Sequence, residues 1–512
     1  MLVKTRGASL HGMDAIGVQV EVNVSMGQGY CIVGLPDTAV KESLHRTEIA
    51  IKANGFQMPR TKLVINLAPA DLKKTGPAFD LPIAIGILAA SDQIRNSATL
   101  SAYLMMGELS LDGQLQPIKG VLAMAIHAKE SGLEGIIIPK FNANEAALIE
   151  GLKVYAFEHL TQVAQFCNDP SGFSTYSKTD TKKEQQDQEL DFSFIKGQYQ
   201  AKRAIEIAAA GGHNMIMIGP PGAGKTMLAK TCISILPTMN HKEMLETSKV
   251  YSILGQLASE PLLVQSRPFR NPHHSLSDIA LVGGGNLPQP GEISMAHNGV
   301  LFLDELPEFS RVAIEILRQP MEEGFVTISR ARQTVKFPSR FMLLASMNPC
   351  PCGYFNHPHK ACLCSPSKVQ KYLHKISGPL MDRIDLQIEM VPVSFQELTN
   401  KTPNEDSATI RTRVTQARAI QEARFKENLH ANTNATMQGT DLKKWAKIDY
   451  SSSTLLKNAM EQFHLSARAY DRIIKVARTI ADLENSKDIQ NQHISEAIHY
   501  RILDRSSWGQ SI

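Results

Sequence analysis

The spacing of apolar and polar positions divides the chain into folded segments and one polar stretch. In residues 1–167, apolar runs such as KLVINLA and GIIIP alternate with helical patterns such as AFDLPIAIGILAASDQI, which predicts a mixed α and β domain. Asp112 and Gly113 in LSLDGQL predict a hairpin turn. Residues 168–193 are mostly Ser, Thr, Lys, Gln and Asp, which bury too little apolar surface to fold, so we predict a linker there.

Two further domains are predicted after the linker. Over residues 194–402, the apolar strand NMIMI, a glycine-rich loop, a helical run and apolar strands at Val300–Leu303 and Phe341–Ala345 are typical of a parallel α/β sheet. Over residues 403–512 the spacing becomes helical, and one predicted helix has a face made of Ile410, Val414, Ala417 and Gln421.

Composition narrows the class of protein. A chain of 512 residues with 43% hydrophobic and 20% charged residues is expected to be globular, with about three domains. The N-terminus lacks the apolar core of a signal peptide and no run of about 18 apolar residues occurs, so we expect a cytoplasmic protein without membrane contact. The net charge of +4 is too small to indicate nucleic-acid binding by itself. Cys31, Cys167 and Cys232 are expected to be ordinary buried thiols.

A phosphate-binding loop follows the strand NMIMI. Its residues are Gly219, Pro220, Pro221, Gly222, Ala223, Gly224, Lys225 and Thr226. The glycines let backbone N–H groups face a phosphate chain, Lys225 can reach the terminal phosphates, and the Thr226 hydroxyl can hold Mg²⁺. This pattern between a strand and a helix predicts an ATP site.

Two later strands end in polar residues that suit the same site. The strand VLFL is followed by Asp304, expected near the magnesium ion, and by Glu305, expected near the attacking water. Asn348 follows the next apolar strand, where its amide can orient that water. Charge on the γ-phosphate is often compensated by an outside arginine, for which Arg383 and Arg468 are candidates, although a lone arginine is by default a surface ion-pair residue.

Four of the seven cysteines lie in the segment MNPCPCGYFNHPHKACLC. Two C-x-C pairs can bring four thiolates around one structural Zn²⁺, with His357 and His359 as spare ligands. These cysteines are Cys350, Cys352, Cys362 and Cys364. A redox-sensitive loop and unremarkable thiols are the alternatives. Because such a loop has no core of its own, we favour zinc, whose binding can fold a segment of this kind.

The order and spacing of these motifs resemble the AAA+ ATPases of the magnesium-chelatase branch. The strings RNPHHSLSDIALVGGG, PGEISMAHNGVLFLDELPEF and SGPLMDRID are similar to those of the ComM/YifB group over essentially the whole chain. The resemblance implies an AAA+ core with a helical C-terminal lid and a homo-oligomeric ring, usually a hexamer. In such a ring Arg383 would act on the ATP of the neighbouring subunit, and Arg468 would be the sensor on the lid. ComM proteins are associated with ATP-driven branch migration during uptake and integration of foreign DNA. Because the cysteine segment lies between Asn348 and Arg383, we expect the zinc loop to stiffen the subunit interface or to touch DNA while sparing nucleotide binding.

A basic hairpin is predicted in FVTISRARQTVKFPSRF, between the two catalytic strands. Related ring helicases carry such a hairpin in the pore, which would place Arg330, Arg332 and Lys336 in a cationic collar for DNA contact without sequence specificity. A solvated charged turn is the alternative. His273 and His274 are expected either to line a second loop or to form a hydrogen-bonded turn.

The first domain resembles the proteolytic domain of Lon through KTGPAFDLPIAIGILAA and GELSLDGQLQPIKGVLAMAIHAKESGLEGIIIP. Where Lon has its serine nucleophile this chain has Ala78, and where Lon has its lysine it has Leu122. Neither side chain can perform Ser-Lys chemistry, so peptidase activity is expected to be absent.

The residues and the resemblance together predict an ATP-hydrolysing AAA+ ring motor that acts on single-stranded or branched DNA and uses ATP and Mg²⁺. The resemblance further implies helicase activity of the branch-migration type in recombination and natural transformation. Two alternatives remain. One is a protein-remodelling AAA+ ATPase. The other is the ATPase subunit of a metal chelatase, a class that lacks the Lon-like domain and the cysteine cluster.

Overall fold

The computed structural model describes a chain that folds as two α/β units followed by helices. The described residues are 1–95, 97–177, 190–257, 263–285, 288–330, 333–355, 357, 359–399, 404–428 and 431–501. Within these ranges the mixed α/β class, the parallel sheet and the helical C-terminal region that the sequence predicts are all present. None of the described helices combines the length and apolar composition needed to cross a bilayer.

The first unit is built on a mixed sheet. Its strands are β1 (Leu2–His11), β2 (Asp14–Ser25), β3 (Tyr30–Val33), β4 (Lys62–Ala68), β5 (Tyr103–Met105), β6 (Glu108–Leu109), β7 (Leu115–Gln116), β8 (Gly135–Pro139) and β9 (Lys153–Phe157). Its helices are α1 (Thr38–Ala53), α2 (Asp80–Ala90), α3 (Ser97–Ala102), α4 (Val121–Glu130), α5 (Ala143–Ala146) and α6 (Leu160–Asn168).

In the described part of this unit, seven strands pair in the order β3-β4-β2-β1-β5-β8-β9. The β1–β2 and β2–β4 pairs are antiparallel and the others are parallel. Helix α2 is buried along its whole length, as its apolar sequence predicts. Strands β6 and β7 form the predicted hairpin, with Gly113 at a positive φ of 91° in the turn.

Both ends of the predicted linker make contacts with the folded units. Phe173 packs against Phe157 and Phe166, and the Tyr176 hydroxyl donates to Asn144 at 2.6 Å. Phe192 is fully buried in the core of the second unit. The middle of the predicted linker, residues 178–189, lies outside the described residues.

One expectation about the scattered cysteines is wrong. Cys167 and Cys232 are buried, but Cys31 is exposed. Cys31 lies on β3, the edge strand of the first sheet, and an edge strand has a neighbouring strand on one side only.

The second unit carries a parallel sheet with helices around it. Its strands are β10 (Met215–Ile218), β11 (Phe269–Arg270), β12 (Gly283–Gly284), β13 (Gln289–Pro290), β14 (Val300–Leu303), β15 (Phe325–Arg330), β16 (Gln333–Pro338), β17 (Met342–Met347) and β18 (Leu386–Glu389). Its helices are α7 (Tyr199–Gly211), α8 (Lys225–Thr231), α9 (His241–Leu254), α10 (Asp278–Val282), α11 (Glu292–Met295), α12 (Arg311–Ile316), α13 (Arg318–Glu323), α14 (Pro366–Leu373), α15 (Gly378–Met381) and α16 (Phe395–Thr399).

The order of this sheet decides where chemistry can occur. Among the described strands the order is β11-β14-β17-β10-β18, and every pair is parallel. Because the carboxyl ends of parallel strands meet at one edge of the sheet, the segments that follow β10, β14 and β17 converge there.

The C-terminal region consists of helices, two of which, the first and the fourth, pack against α7. The helices are α17 (Ser407–Arg424), α18 (Thr440–Trp445), α19 (Tyr450–Phe463), α20 (Ala467–Leu483) and α21 (Asn491–His499). The predicted apolar face of α17 is buried. Arg472 on α20 donates to the buried Asp385 at 2.9 Å. Although burial opposes ionisation, Arg472 and His213 hold the pKa of Asp385 well below its usual range, so a charged pair anchors the helices to the sheet.

The two α/β units are in direct contact through α4 and α9. The Gly120 N–H donates to the Ser252 carbonyl at 3.0 Å, and the Ser252 hydroxyl donates to the Glu145 carboxylate. Lys249 on α9 pairs with Asp14 at 2.7 Å. A second contact lies nearby, where the turn between β1 and β2 reaches the hairpin formed by β15 and β16.

Candidate nucleotide site and cysteine cluster

The loop between β10 and α8 has the backbone that phosphate binding requires. Gly222 and Gly224 have positive φ values of 79° and 87°, and a Cβ at either position would meet no atom within 4 Å. A Cβ at Gly219 would instead lie 2.5 Å from the Met390 carbonyl oxygen. The loop is therefore held closely to the sheet at its start and leaves open space where its glycines turn.

Lys225 is the first residue of α8, and its side chain points back into this loop. Its ammonium donates to the carbonyl oxygens of Gly219 at 2.6 Å and Pro220 at 3.0 Å, and to the Asn348 side-chain oxygen at 3.2 Å. Burial lowers the pKa of Lys225, while Asp304 and Glu305 act in the opposite direction. The structure thus brings Lys225 and Asn348 together from two neighbouring strands.

The end of β14 supplies the acidic part of the site. The Thr226 hydroxyl donates to Asp304 Oδ2 at 2.8 Å, and the Ser346 hydroxyl donates to Asp304 Oδ1. A hydroxyl and a carboxylate oxygen this close can be ligands of one Mg²⁺ ion.

Glu305 has different surroundings from Asp304. It has a positive φ of 54°, and its side chain is 53% exposed and 3.9 Å from His274 Nδ1. His273 Nδ1 is 2.8 Å from the Ser275 hydroxyl, which supports the turn alternative for the histidine pair. The carboxylate of Glu305 is therefore accessible to water at the edge of the site.

The two candidate arginines lie near each other. Arg383 pairs with Glu322 at 2.5 Å and donates to the Pro379 carbonyl at 2.6 Å, and Arg468 pairs with Asp382 at 3.2 Å. Within the described ranges neither arginine hydrogen-bonds to the phosphate-binding loop. A single chain therefore does not bring them to Lys225, and their roles stay predictions.

Sequence reasoning missed two residues of this site. Ser346 lies on β17 two residues before Asn348, so the two-residue period of a strand could have indicated it. Gln198 donates to the carbonyl oxygens of Ala223 at 3.1 Å and Val391 at 2.6 Å. It precedes α7 in the chain and has no motif that marks it.

The four clustered cysteines converge on one point. The Cys350, Cys352 and Cys362 sulfurs are separated by 3.3, 3.6 and 3.7 Å, and all four ligand atoms lie within 4.8 Å of one another. A tetrahedron with Zn–S bonds of about 2.3 Å separates its sulfurs by about 3.8 Å, so the cluster fits this ion. His357 and His359 do not belong to this group of ligand atoms among the described residues.

The thiols differ in acidity. Burial raises the pKa of Cys362 to about 12, and neighbouring thiols add to the rise. Burial also acts to raise the pKa of Cys352, but N–H groups of Tyr354 and Leu363 outweigh it and lower that pKa to about 6. One thiolate therefore forms readily, whereas several together require a cation among them.

Strands β15 and β16 form the predicted basic hairpin. Val326, Ile328, Val335 and Phe337 are buried on one face. Arg330 and Lys336 are exposed, and Lys336 lies 4.4 Å from the centre of the Phe325 ring. Arg332, the third candidate for DNA contact, lies outside the described residues.

The positions that correspond to the Lon nucleophile and lysine carry no polar side-chain atom. Ala78 is partly buried, and its carbonyl accepts from the Gly107 N–H at 2.9 Å. Leu122 is fully buried in α4, where its N–H donates to Glu145 at 2.9 Å. These side chains pack into the fold.

Comparison with protein families covers most of the chain. The profile described as "Magnesium chelatase, subunit ChlI" matches residues 191–398. Two related profiles, "Subunit ChlI of Mg-chelatase" and "Magnesium chelatase, subunit ChlI C-terminal", match residues 20–142 and 404–501.

Individual relatives match over nearly the full length. The chain is 42% identical over 507 residues to YifB of Escherichia coli (strain K12), which covers 98% of this chain and 97% of YifB. It is 43% identical over 502 residues to competence protein ComM of Haemophilus influenzae, with 96% of each chain covered. Similarity to Lon protease 2 of Bacillus subtilis is weaker, at 23% identity over 320 residues, which are 60% of this chain and 48% of that protease.

Proposed function

This chain belongs to the ComM/YifB family of magnesium-chelatase-like proteins, and on that premise we propose that it is an AAA+ ATPase that acts as a ring motor on DNA. The observation that carries the proposal is the convergence of Lys225, Thr226, Asp304 and Asn348 at the carboxyl edge of one parallel sheet. Family membership and this geometry support an AAA+ ATPase. The action on DNA goes beyond what family membership and this geometry support, and it rests on the hairpin described below.

Each residue of the site has a separate role in ATP hydrolysis. Lys225 and the loop N–H groups hold the phosphates, and Thr226 with Asp304 would hold Mg²⁺, which neutralises phosphate charge. Glu305 accepts a proton as water attacks the γ-phosphorus and the bond to the ADP oxygen breaks, while Asn348 orients that water. Arg383 from a neighbouring subunit and Arg468 from the lid would complete the charge compensation in a ring, for which the family resemblance implies a hexamer.

The exposed edge of the β15–β16 hairpin supports DNA contact. Buried apolar residues fix the hairpin on one face and leave Arg330 and Lys336 exposed. Several copies in a ring would form a cationic collar that contacts phosphates of any sequence. We therefore propose branch migration of DNA strands, a role that also agrees with the word competence in the name of ComM.

The cysteine cluster is proposed to bind one structural Zn²⁺. Four sulfurs within 4.8 Å leave no open ligand position for catalysis. The first domain is proposed to have a Lon-like fold without peptidase activity, because Ala78 and Leu122 supply neither nucleophile nor base.

One experiment tests the motor. ATP turnover is measured without DNA and with single-stranded, forked or four-way-junction DNA, together with remodelling of each DNA. We expect DNA to stimulate ATP turnover in the native chain. Lys225→Ala should abolish ATP turnover with and without DNA. Absence of both stimulation and remodelling would leave the ATPase but reject the DNA motor.

A charge reversal tests the hairpin. Arg330→Glu with Lys336→Glu should weaken DNA binding by about tenfold or more and reduce its salt dependence, because each lost phosphate contact removes about 0.9 from the salt slope. ATP binding should persist. Lys443→Glu with Lys457→Glu, which reverses two exposed charges on the C-terminal helices, is the matched control. Equal DNA affinity in the two double variants would exclude the hairpin as the contact.

The weak Lon similarity favours one second candidate, a protein-remodelling ring. It predicts that unfolded protein, and no DNA, stimulates ATP turnover in the same assay.

A further inference from the structure

The cysteine cluster begins beside the residue that contacts the catalytic lysine. Asn348, whose side-chain oxygen is 3.2 Å from Lys225 Nζ, directly follows β17. Cys350 is two residues further along and is fully buried. Any shift of the first cysteine pair is therefore transmitted through one proline to Asn348.

The turn after the first cysteine pair lies against the phosphate-binding loop. Gly353 has a positive φ of 83°, and its N–H donates to the Cys350 carbonyl at 2.9 Å. A Cβ at Gly353 would lie 2.6 Å from Cδ of Pro221, which real Cβ atoms do not tolerate. The cysteine turn thus packs directly on Pro221 without room for another carbon atom.

The segment that leaves the cluster returns to the same place. It leads into α14, where burial raises the pKa of Tyr372 and the nearby Asn348 backbone acts in the opposite direction. Lys375 Nζ lies 5.6 Å from the centre of the Tyr372 ring and pairs with Glu308 at 3.3 Å. Both ends of the cysteine segment therefore lead to residues close to Asn348, which itself contacts Lys225.

We propose that a zinc ion bound by the four cysteines sets the position of the phosphate-binding loop, so that affinity for ATP depends on zinc occupancy. This inference rests on the ATP and zinc sites of the proposed function and adds a link between them. The link lies within one chain, through Gly353 to Pro221 and through Asn348 to Lys225. It differs from the sequence expectation that the zinc loop acts at a subunit interface or on DNA and spares nucleotide binding.

The contact between the Gly353 turn and Pro221 depends on zinc for a physical reason. In the described residues between β17 and α14 there is no helix or strand, so the turn at Gly353 is held by local hydrogen bonds such as that from its N–H to the Cys350 carbonyl, and not by a helix or a sheet. Zinc binding supplies folding free energy to segments of this kind. With zinc the turn is held against Pro221, and without zinc that side of the phosphate-binding loop loses its support.

Zinc removal is the first test. The full chain is loaded with Zn²⁺ or stripped with a chelator that is then removed, Mg²⁺ is restored, and binding of a fluorescent ATP analogue is measured. We expect one zinc per chain and affinity about tenfold weaker after stripping, equivalent to about 1.4 kcal/mol. Re-addition of zinc should restore affinity. Cys362→Ser with Cys364→Ser should reproduce the loss.

A second variant tests the contact with zinc still bound. Gly353→Ala should keep its zinc and lose affinity for the analogue, because its Cβ displaces Pro221. Gly55→Ala, at a φ of 77° with no atom within 4 Å of the added Cβ, controls for backbone strain. Adding Pro221→Ala to Gly353→Ala should recover part of the lost affinity, relative to Pro221→Ala alone.

The inference and the proposed function fail in different ways. Equal analogue affinity with and without zinc, or a chain that binds no zinc, overturns the inference even when DNA stimulates turnover. A zinc-dependent affinity in a chain that no DNA stimulates supports the inference and rejects the DNA motor.

Discussion

At the carboxyl end of β14, two adjacent carboxylates have different environments. Asp304 receives hydrogen bonds from the hydroxyls of Thr226 and Ser346, which hold its carboxylate in one position. Glu305 has a left-handed backbone and an exposed side chain. One carboxylate is held in place by donors and the other remains accessible to water, which agrees with separate roles in metal binding and proton transfer.

Replacing Glu305 tests this division. Glu305→Gln should retain ATP binding and lower turnover by about 100-fold or more, because an amide cannot accept the proton of the attacking water. Single-turnover hydrolysis and analogue binding are the measurements. Glu308→Gln, which changes a nearby exposed carboxylate that pairs with Lys375, is the matched control. Turnover in Glu305→Gln equal to that of the control would assign proton transfer to another group.

Some residue positions could be predicted because their signal is local. Lys225, Asp304 and Asn348 each follow an apolar strand, and parallel strands bring such positions together. The exposure of Cys31 and the contact of Gln198 with Ala223 depend on which elements become neighbours, and the local pattern contains no signal for either.

At the scale of elements, the basic hairpin is supported by the first domain. A Cβ at Gly12, in the turn between β1 and β2, would lie 2.5 Å from Cγ1 of Val335. Met13 in the same turn packs against the cluster that contains Val326 and Phe337. The β1–β2 turn therefore covers the apolar face of the hairpin, while Lys336 lies on the opposite face and Arg330 lies at the exposed end of the apolar face, opposite Gln333.

Shortening Met13 tests that support. Met13→Ala should increase amide hydrogen exchange in the β15–β16 hairpin by about tenfold, because a lost apolar contact of about 1–2 kcal/mol lowers the local opening free energy. Met26→Ala, at a side chain that is 96% exposed in the same domain, is the control. Unchanged protection in Met13→Ala would mean that the hairpin is stable by itself.

At the scale of the whole molecule, the two α/β units share a buried carboxyl group. Glu145 accepts hydrogen bonds from the Leu122 N–H and from the Ser252 hydroxyl of the second unit. Burial nevertheless raises the pKa of Glu145 above its usual value. The interface thus favours the protonated form of this residue.

The raised pKa gives a pH dependence with a defined sign. Below the pKa of an unfolded glutamate, about 4.3, the group is protonated in both states and its stabilising contribution is complete. As pH rises through the raised folded-state pKa, that contribution is lost. Glu145→Gln should therefore reduce the fall of unfolding free energy between about pH 4 and the folded pKa.

Thermal unfolding across this pH range is the measurement. Asp14→Asn changes an exposed carboxylate in the same contact between the two units. It should leave the pH dependence of the unfolding free energy nearly the same as in the native chain. Removing a donor instead, with Ser252→Ala, should destabilise the chain by about 1–3 kcal/mol. If the unfolding free energy of Glu145→Gln changes with pH as steeply as that of the native chain, Glu145 is excluded as the source of this pH dependence.

The sequence by itself determined the mixed α/β class with a parallel sheet, the helical C-terminal region, and the residue types of the candidate nucleotide site and the cysteine cluster. These follow from periodicity and short motifs, which act over a few residues. Only the tertiary structure placed Gly353 on Pro221, Gly12 on Val335 and Ser252 on Glu145. Such contacts join positions far apart in the chain, and they depend on packing geometry that local spacing does not encode.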